Sequence, residues 1–400
     1  MKLSINKIIT LIAVSSVLGL AGCDKQQSPV IRNDMEEWLK NADLEAEETP
    51  EELYLKALKE DTLVVYSIST RIYDVKESFE AAYPGLTVDI YDSRANDMIP
   101  SLAEAFEKQE YKWDVVLCSD CDGQMSRYLL PDHIVNKYTP YDIKPVLRDG
   151  GEGPLLSYVY ECEQLFYNNE VYDCCPISNW WELTEPQWNG KVYMNSPLRS
   201  QPSYTLLYSV ISNSDKMAAA YEDLYGEPLI VPEGSSAGKI FWERLASNGL
   251  QFTTSSNEIV EIIGAPGQSD PPLGFMISSK LRRAAIGMKI APAYGTVPCD
   301  GIPVSSTVSI AGGSPNVNTA KLFIRWLMGE TDGTGEGLMP YLQAGTWSAR
   351  TDVPDNAPFS LEEGNFWFYD FDDLSGRYDE LMEFWTELQG SITEDTIEEN

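Results

Sequence analysis

The chain has 400 residues, with 62 acidic side chains against 29 basic ones and a formal net charge of −33. That balance argues against nucleic acid as a partner, since a polyanion would be repelled unless a basic stripe met it. The single histidine, His133 in "PDHIVN", lies in a polar, loop-like stretch, and no other imidazole is present to serve as base, which argues against Ser-His-Asp or Cys-His catalysis.

The chain opens with "MKLSINKIITLIAVSSVLGLAGCDKQQ". Lys2 and Lys7 precede an apolar run from Ile8 to Leu20, which is short for a membrane span and reads as an export signal. "LAGC", Leu20 to Cys23, resembles the lipobox of bacterial lipoprotein signals. That resemblance implies cleavage after residue 22 and a lipid on Cys23, with the chain held at the outer face of the cytoplasmic membrane. The mature chain then has 378 residues, enough for one large domain or two lobes.

Residues 24 to 50 hold eight acidic and three basic side chains and read as an acidic tether, 23–50, with one short helix at "DMEEWLKNA". From Glu51 the pattern changes. "PEELYLKALKED" is helical and "TLVVYS" is an apolar strand of the kind buried in parallel sheets. "YDVKESFEAAYPG" is a helix with a Pro-Gly stop, "LTVDIY" a strand, "DMIPSLAEAFEKQE" a helix and "WDVVL" a strand. This alternation predicts an α/β sheet that most simply runs parallel.

After Pro154, "LSYVYECEQLFYN" reads as a strand or strand pair and "KVYM" as a strand. "YTLLYSVI", "KMAAAYEDLYG" and "GKIFWERLASNG" read as helices. "AAIGMKIAPAYG" and "STVSIAGG" read as strands, and "NTAKLFIRWLMGE" as an amphipathic helix. The last fifty residues carry fifteen acids against Arg377 alone and predict an aromatic-packed helical segment, 346–400.

Six cysteines follow Cys23: Cys118, Cys121, Cys162, Cys174, Cys175 and Cys299. Outside the cytosol an even number favours disulfides. "CSDC" at 118–121 lacks the further ligands a zinc site needs, and no cofactor motif is apparent.

"ELYLKALKEDTLVVYS" with "FEAAYPGLTVDIY", then "LFYNNEVY", "NWWELTEPQWNGKVYMNSP", "SPNVNTAKLFIRWLMGE" and "ARTDV" resemble, in order over roughly residues 51–353, the ferric-iron-type solute-binding proteins of bacterial ABC importers. The resemblance implies a two-lobed type 2 periplasmic-binding-protein fold with ligand held between lobes joined by crossing strands. Lobe one would take 51–155 plus 300–345, and lobe two 156–299. It further implies a monomer, not an enzyme, delivering a small ligand to a permease and ATPase. A ligand-presenting subunit of a membrane sensor and a fold-reusing enzyme stay open.

Four stretches would then line the cleft: "SISTR", "CSDCD", "NSPLRSQPS" and "AYGTVP". The expected ligand residues are Ser67, Thr70, Arg71, Ser119, Ser196, Arg199, Ser200 and Tyr294. Arg71 and Arg199 would clamp a phosphate or carboxylate. A ferric ligand would instead draw on Tyr158, Tyr160, Tyr204 and Tyr294, although the adjacent tyrosine pair common among iron binders is missing. The fold also implies a disulfide from Cys299 to Cys118 or Cys121, and the second expected pairing joins Cys162 to Cys174 or Cys175.

Overall fold

The computed structural model describes residues 33–93, 95–120, 122–148, 153–330 and 335–398. Among the described residues eleven strands form one sheet: β1 Leu63–Ser67, β2 Val88–Asp92, β3 Val115–Ser119, β4 Val135–Asn136, β5 Leu156–Tyr167, β6 Val192–Asn195, β7 Gln251–Thr253, β8 Leu273–Ile277, β9 Ala291–Pro292, β10 Ile302–Ala311 and β11 Trp347–Ser348. The main path runs β2-β1-β3-β10-β5-β8-β6-β7.

Two half-sheets lie along that path. In the first, β1 pairs in parallel with β2 and β3. In the second, β6 pairs in parallel with β7 and β8. Strands β5 and β10 are antiparallel partners from Ile302 opposite Glu163 to Val308 opposite Leu156, with a bulge between Ser306 and Thr307. The far end of β5, Glu163 to Phe166, pairs with β8. These two long strands therefore belong to both halves and carry the chain between them.

The inner strands of each half-sheet are buried on both faces, which is why they read as continuous apolar runs and not as alternating ones, whereas the edge strand β2 exposes Asp89, Tyr91 and Asp92. Val65 and Leu117 face one core while Tyr66 and Val116 face another. Leu165 and Phe275 likewise face one core of the second half while Phe166 and Met276 face the other.

The helices α1 Asn33–Ala42, α2 Pro50–Ala57, α3 Ile72–Ala82 and α4 Ala95–Glu107 belong to the first half. The second half holds α5 Gln201–Ser212, α6 Ser214–Tyr225, α7 Ala237–Ser247 and α8 Ser256–Gly264, and α9 Val317–Leu327 follows β10. Their starts obey local chemistry. Thr49 and Glu52 form a reciprocal capping box at α2, and Ser200, Ser236 and Ser255 cap α5, α7 and α8.

Several expectations need correction. Residues 33–50 are not a free tether: Met35 is buried and Trp38 Nε1 donates to the Ser314 carbonyl at 2.8 Å. "AAIGMKIAPAYG" is not a strand. Its first residues finish a run of helical turns, Ser278–Ile286, closed by Gly287 at φ +103°, and only Ala291–Pro292 pairs with β5. The strand beside β5 is instead β8, which the hydropathy pattern did not single out, and β7 and α8 were equally inconspicuous.

Among the described residues the expected disulfides are absent: Cys162, Cys174, Cys175 and Cys299 carry free thiols. Cys118 sits opposite Thr307, whereas Cys299 precedes β10. From Ile302 to Thr307 that strand covers roughly 17 Å, far beyond the ~7 Å that a disulfide spans between Cα atoms. Cys162 is buried beneath Trp347 and Phe366, while Cys174 is exposed in a surface loop. Cys23 and Cys121 lie outside the described residues.

The C-terminal segment contains α10 Phe371–Gly376 and α11 Tyr378–Glu398. It is rooted in the second half: Trp367, Leu374, Leu381 and Trp385 enter that half's main core. It also touches the first half, where Arg127 Nη1 donates to the Ser375 carbonyl at 2.5 Å.

Candidate functional site

The loop after β1 turns sharply because Ser69 N donates to Ser67 Oγ at 3.1 Å while that hydroxyl donates to the Ser69 carbonyl. The turn delivers Arg71 to the start of α3. Its Nη1 stands 3.7 Å from Glu161 Oε1 on β5, and its guanidinium lies 5.8 Å from the centre of the Tyr341 ring.

Two further cations reach this place from the second half. The turns after β8 carry Lys280, which donates to Asn257 Oδ1 at 2.9 Å, and Arg282, which donates to the Ser279 carbonyl at 2.7 Å. Lys280 is pushed down to about 8, first by burial and then by Arg282 and Arg71, with Glu161 opposing. Arg282 is lowered by burial and then by Arg71. Cations from the two halves therefore feel one another in an otherwise strongly acidic chain. Like charges held together in a half-buried place favour an anion between them.

Two buried oxygens are left open here. Glu161 Oε1 and the Tyr341 hydroxyl have no partner in hydrogen-bonding geometry. Tyr341 faces Arg71, and burial pushes its hydroxyl up to about 12 although the nearby Ser69 side chain pulls the other way. The phenol therefore stays a donor.

Next along the same face of β5, Glu163 is fully buried and accepts from Ser203 Oγ at 3.1 Å; that hydroxyl lies 3.0 Å from Ser200 Oγ. Burial pushes Glu163 up to about 8, and the charge of Glu161 adds to the effect. The loop after β3 brings two more carboxyls. Asp120 accepts from Met125 N and Ser126 N at 2.7 and 3.0 Å, yet burial lifts it to about 7. Asp122 is raised by burial too, with the Gln201 and Gln124 amides beside it pulling the other way.

The sequence-predicted residues divide. Ser67 and Arg71 lie at the basic group, with Thr70 exposed beside them. Ser200 caps α5 next to Glu163. Ser119 ends β3 opposite Ser306. Ser196 is buried and donates to Gln389 Oε1 at 2.8 Å, so the C-terminal segment occupies it. Arg199 is exposed, its N–H closing a turn onto the Ser196 carbonyl. Tyr294 packs on Phe359 in the cluster that contains Trp347 of β11.

The four tyrosines considered for ferric ion do not converge. Tyr158 stacks edge-on against Tyr341 in the first core, and Tyr160 and Tyr294 lie under Trp347. The Tyr204 hydroxyl donates to the Leu374 carbonyl at 2.7 Å. Among the described residues no group of three or more His, Cys, Asp or Glu is placed to hold a metal ion. His133 faces Asn136 Oδ1 at 2.8 Å in the first half.

Lys280, Arg282, Glu161 and Glu163 were missed. The signal was there in "SSKLRR", three basic residues within four, following the apolar "LGFMI".

No family model matches the chain, and no curated relative does. Solved structures do. Iron-bound HitA from Pseudomonas aeruginosa aligns with a TM-score of 0.61 at 14% identity, over 82% of this chain and 99% of that one. The apo ferric-ion-binding protein A of Pasteurella haemolytica gives 0.62 at 15%, over 82% and 98%. AfuA of Actinobacillus pleuropneumoniae, with fructose-6-phosphate bound, gives 0.59 at 16%, over 82% and 98%.

Proposed function

We propose that this chain, which has the fold of type 2 periplasmic binding proteins, is an extracytoplasmic solute-binding protein. It captures a small phosphorylated or carboxylated solute and hands it to an ABC permease and its ATPase. The observation that carries this reading is that Arg71 of the first half, 3.7 Å from Glu161, is close enough to Lys280 and Arg282 of the second for its charge to lower their proton affinity. An anion seated there neutralises the repulsion among the three cations, and it does so only when the two halves are close. Binding and closure are then one event, as in hinged binding proteins.

The AfuA likeness, to a protein seen with a sugar phosphate, fits an anionic ligand. Iron, which HitA holds, draws no support from four tyrosines spread over three clusters. Lipid on Cys23 would hold the protein, acting as a monomer, at the outer face of the cytoplasmic membrane beside its permease.

The test is a thermal-shift screen of sugar phosphates, phosphonates, carboxylates and ferric complexes. Ligand at a hundredfold over its dissociation constant stabilises by about 2.7 kcal/mol. A phosphorylated or carboxylated compound should raise Tm in wild type and lose that effect in Arg282→Ala. A shift with ferric complexes alone would overturn the anion reading.

A further inference from the structure

We infer that Glu161 makes this site selective for an anion that also carries a hydrogen-bond donor, an inference that rests on the anion reading above. The basic group offers many donors: the Arg71 and Arg282 guanidinium groups, the Lys280 ammonium and the Tyr341 hydroxyl. Against them, among the described residues of this group, stands one open acceptor. It is Glu161 Oε1, buried and without a hydrogen-bond partner. Arg71 at 3.7 Å gives it a counter-charge but no hydrogen bond.

The neighbouring acceptors are already served. Glu163 Oε1 takes the Ser203 hydroxyl, Asn257 Oδ1 takes Lys280, and the Ser279 carbonyl takes Arg282. Glu161 is the one left for the solute. A fully ionised solute without an O–H or N–H would set its own oxygens against that carboxylate, adding repulsion to an acceptor left bare. Such a mismatch is the discrimination that polar sites perform best, because a buried group left unpaired costs more than one extra hydrogen bond returns. A solute with a donor, either a P–OH on the anion itself or a hydroxyl or ammonium on its carbon skeleton, spans Glu161 and the cations together. The arrangement rejects dianions without a proton to donate, such as sulfate, while admitting protonated, hydroxylated or amino-substituted ones.

Two matched pairs of probes separate the sources of the donor. Inorganic phosphate and sulfate share shape, but at pH 6 only phosphate carries a proton. Glycerol phosphate and propyl phosphate differ in skeleton hydroxyls. Calorimetry on the full chain should show one pair or both split by roughly ten- to hundredfold in favour of the donor-bearing member. Glu161→Gln, whose amide can present either a donor or an acceptor, should shrink that split, while Glu161→Asp should keep its direction. Equal binding within both pairs, or a split untouched in Glu161→Gln, overturns the role of Glu161 and leaves the anion reading standing. Binding of none of the four removes the phosphorylated-solute reading and this inference together. Should Glu161→Gln fail to fold, the wild-type ratios alone decide.

Discussion

The Ser196 hydroxyl donates to the Gln389 side chain at 2.8 Å across 193 residues of sequence, and Trp385 Nε1 reaches the same hydroxyl at 3.3 Å. The loop that looked most like a ligand cradle is thus held by the chain's own last helix. Trp385 is fully buried against Trp242 and Phe252, with ring centres 5.4 and 5.8 Å away. Trp385→Ala should destabilise the protein by about 3–5 kcal/mol, read as a lower urea midpoint. Gln389→Ala should cost about 1 kcal/mol. Equal effects would mean that the helix is fastened by its polar contacts and not by its tryptophan.

The two arginines expected from sequence should behave differently. Arg71 sits half-buried among other cations and next to Glu161, whereas Arg199 is exposed on a turn. Arg71→Ala should weaken anion binding by about 2–5 kcal/mol through loss of a buried charge partner. Arg199→Ala should change both affinity and stability by less than about 0.5 kcal/mol. Calorimetry with the ligand found by thermal shift would check this. A large loss in Arg199→Ala would return "NSPLRSQPS" to the centre of the site.

Glu163 supplies a pH dependence with a definite sign. Its carboxyl rises from 4.5 to about 8 on folding, through burial first and the charge of Glu161 second. The folded state therefore binds this proton more firmly than the unfolded state. The associated stability is fully present below pH 4.5 and is lost as pH rises through 8. Asp120, lifted to about 7, acts in the same direction over a lower window. Urea unfolding at about pH 5 and about pH 8 should show wild type losing on the order of 2 kcal/mol more than Glu163→Gln. Matching pH slopes would show that Glu163 ionises freely in the folded protein.

The cysteines give a reagent-level check. Under native, non-reducing conditions a maleimide should label exposed Cys174 first, while buried Cys162 and Cys299 react only after unfolding. Non-reducing peptide maps that pair Cys299 or Cys162 would restore the disulfide expectation. In the host, Cys23→Ser should release the protein from the membrane fraction, and a wild type that stays soluble and takes up no labelled fatty acid would remove the anchor.

The α/β architecture was legible because buried parallel strands advertise themselves: "TLVVYS" and "WDVVL" are short apolar runs between helical periods, and β1 and β3 fall on them. The edge strand β2 was legible in "LTVDIY" by its β-branched and aromatic residues, although it exposes most of its side chains. Strand β8 was harder, since "LGFMISSKLRRAAIG" passes from strand to turns with no proline to mark the change. The same ambiguity hid Lys280 and Arg282, because their value comes from lying near Arg71, about 200 residues earlier. Ser196 shows the reverse failure. Its neighbourhood has the chemistry of a binding loop, but which partner takes its hydroxyl depends on where residues 385–389 pack, and local sequence does not contain that.

Trp367, Leu374, Leu381 and Trp385 complete a core whose other walls come from residues 165–302, and this has a bearing on the timing of folding. While the chain is still emerging from the ribosome, the second half can form its strands but keeps an open apolar flank until the closing tryptophan arrives. A nascent chain that cannot finish its core stays loose and exposes sticky surface for longer. Under the export reading proposed above, a polypeptide that must thread a translocation channel unfolded would be helped by a core that stays open until residues 367–385 arrive.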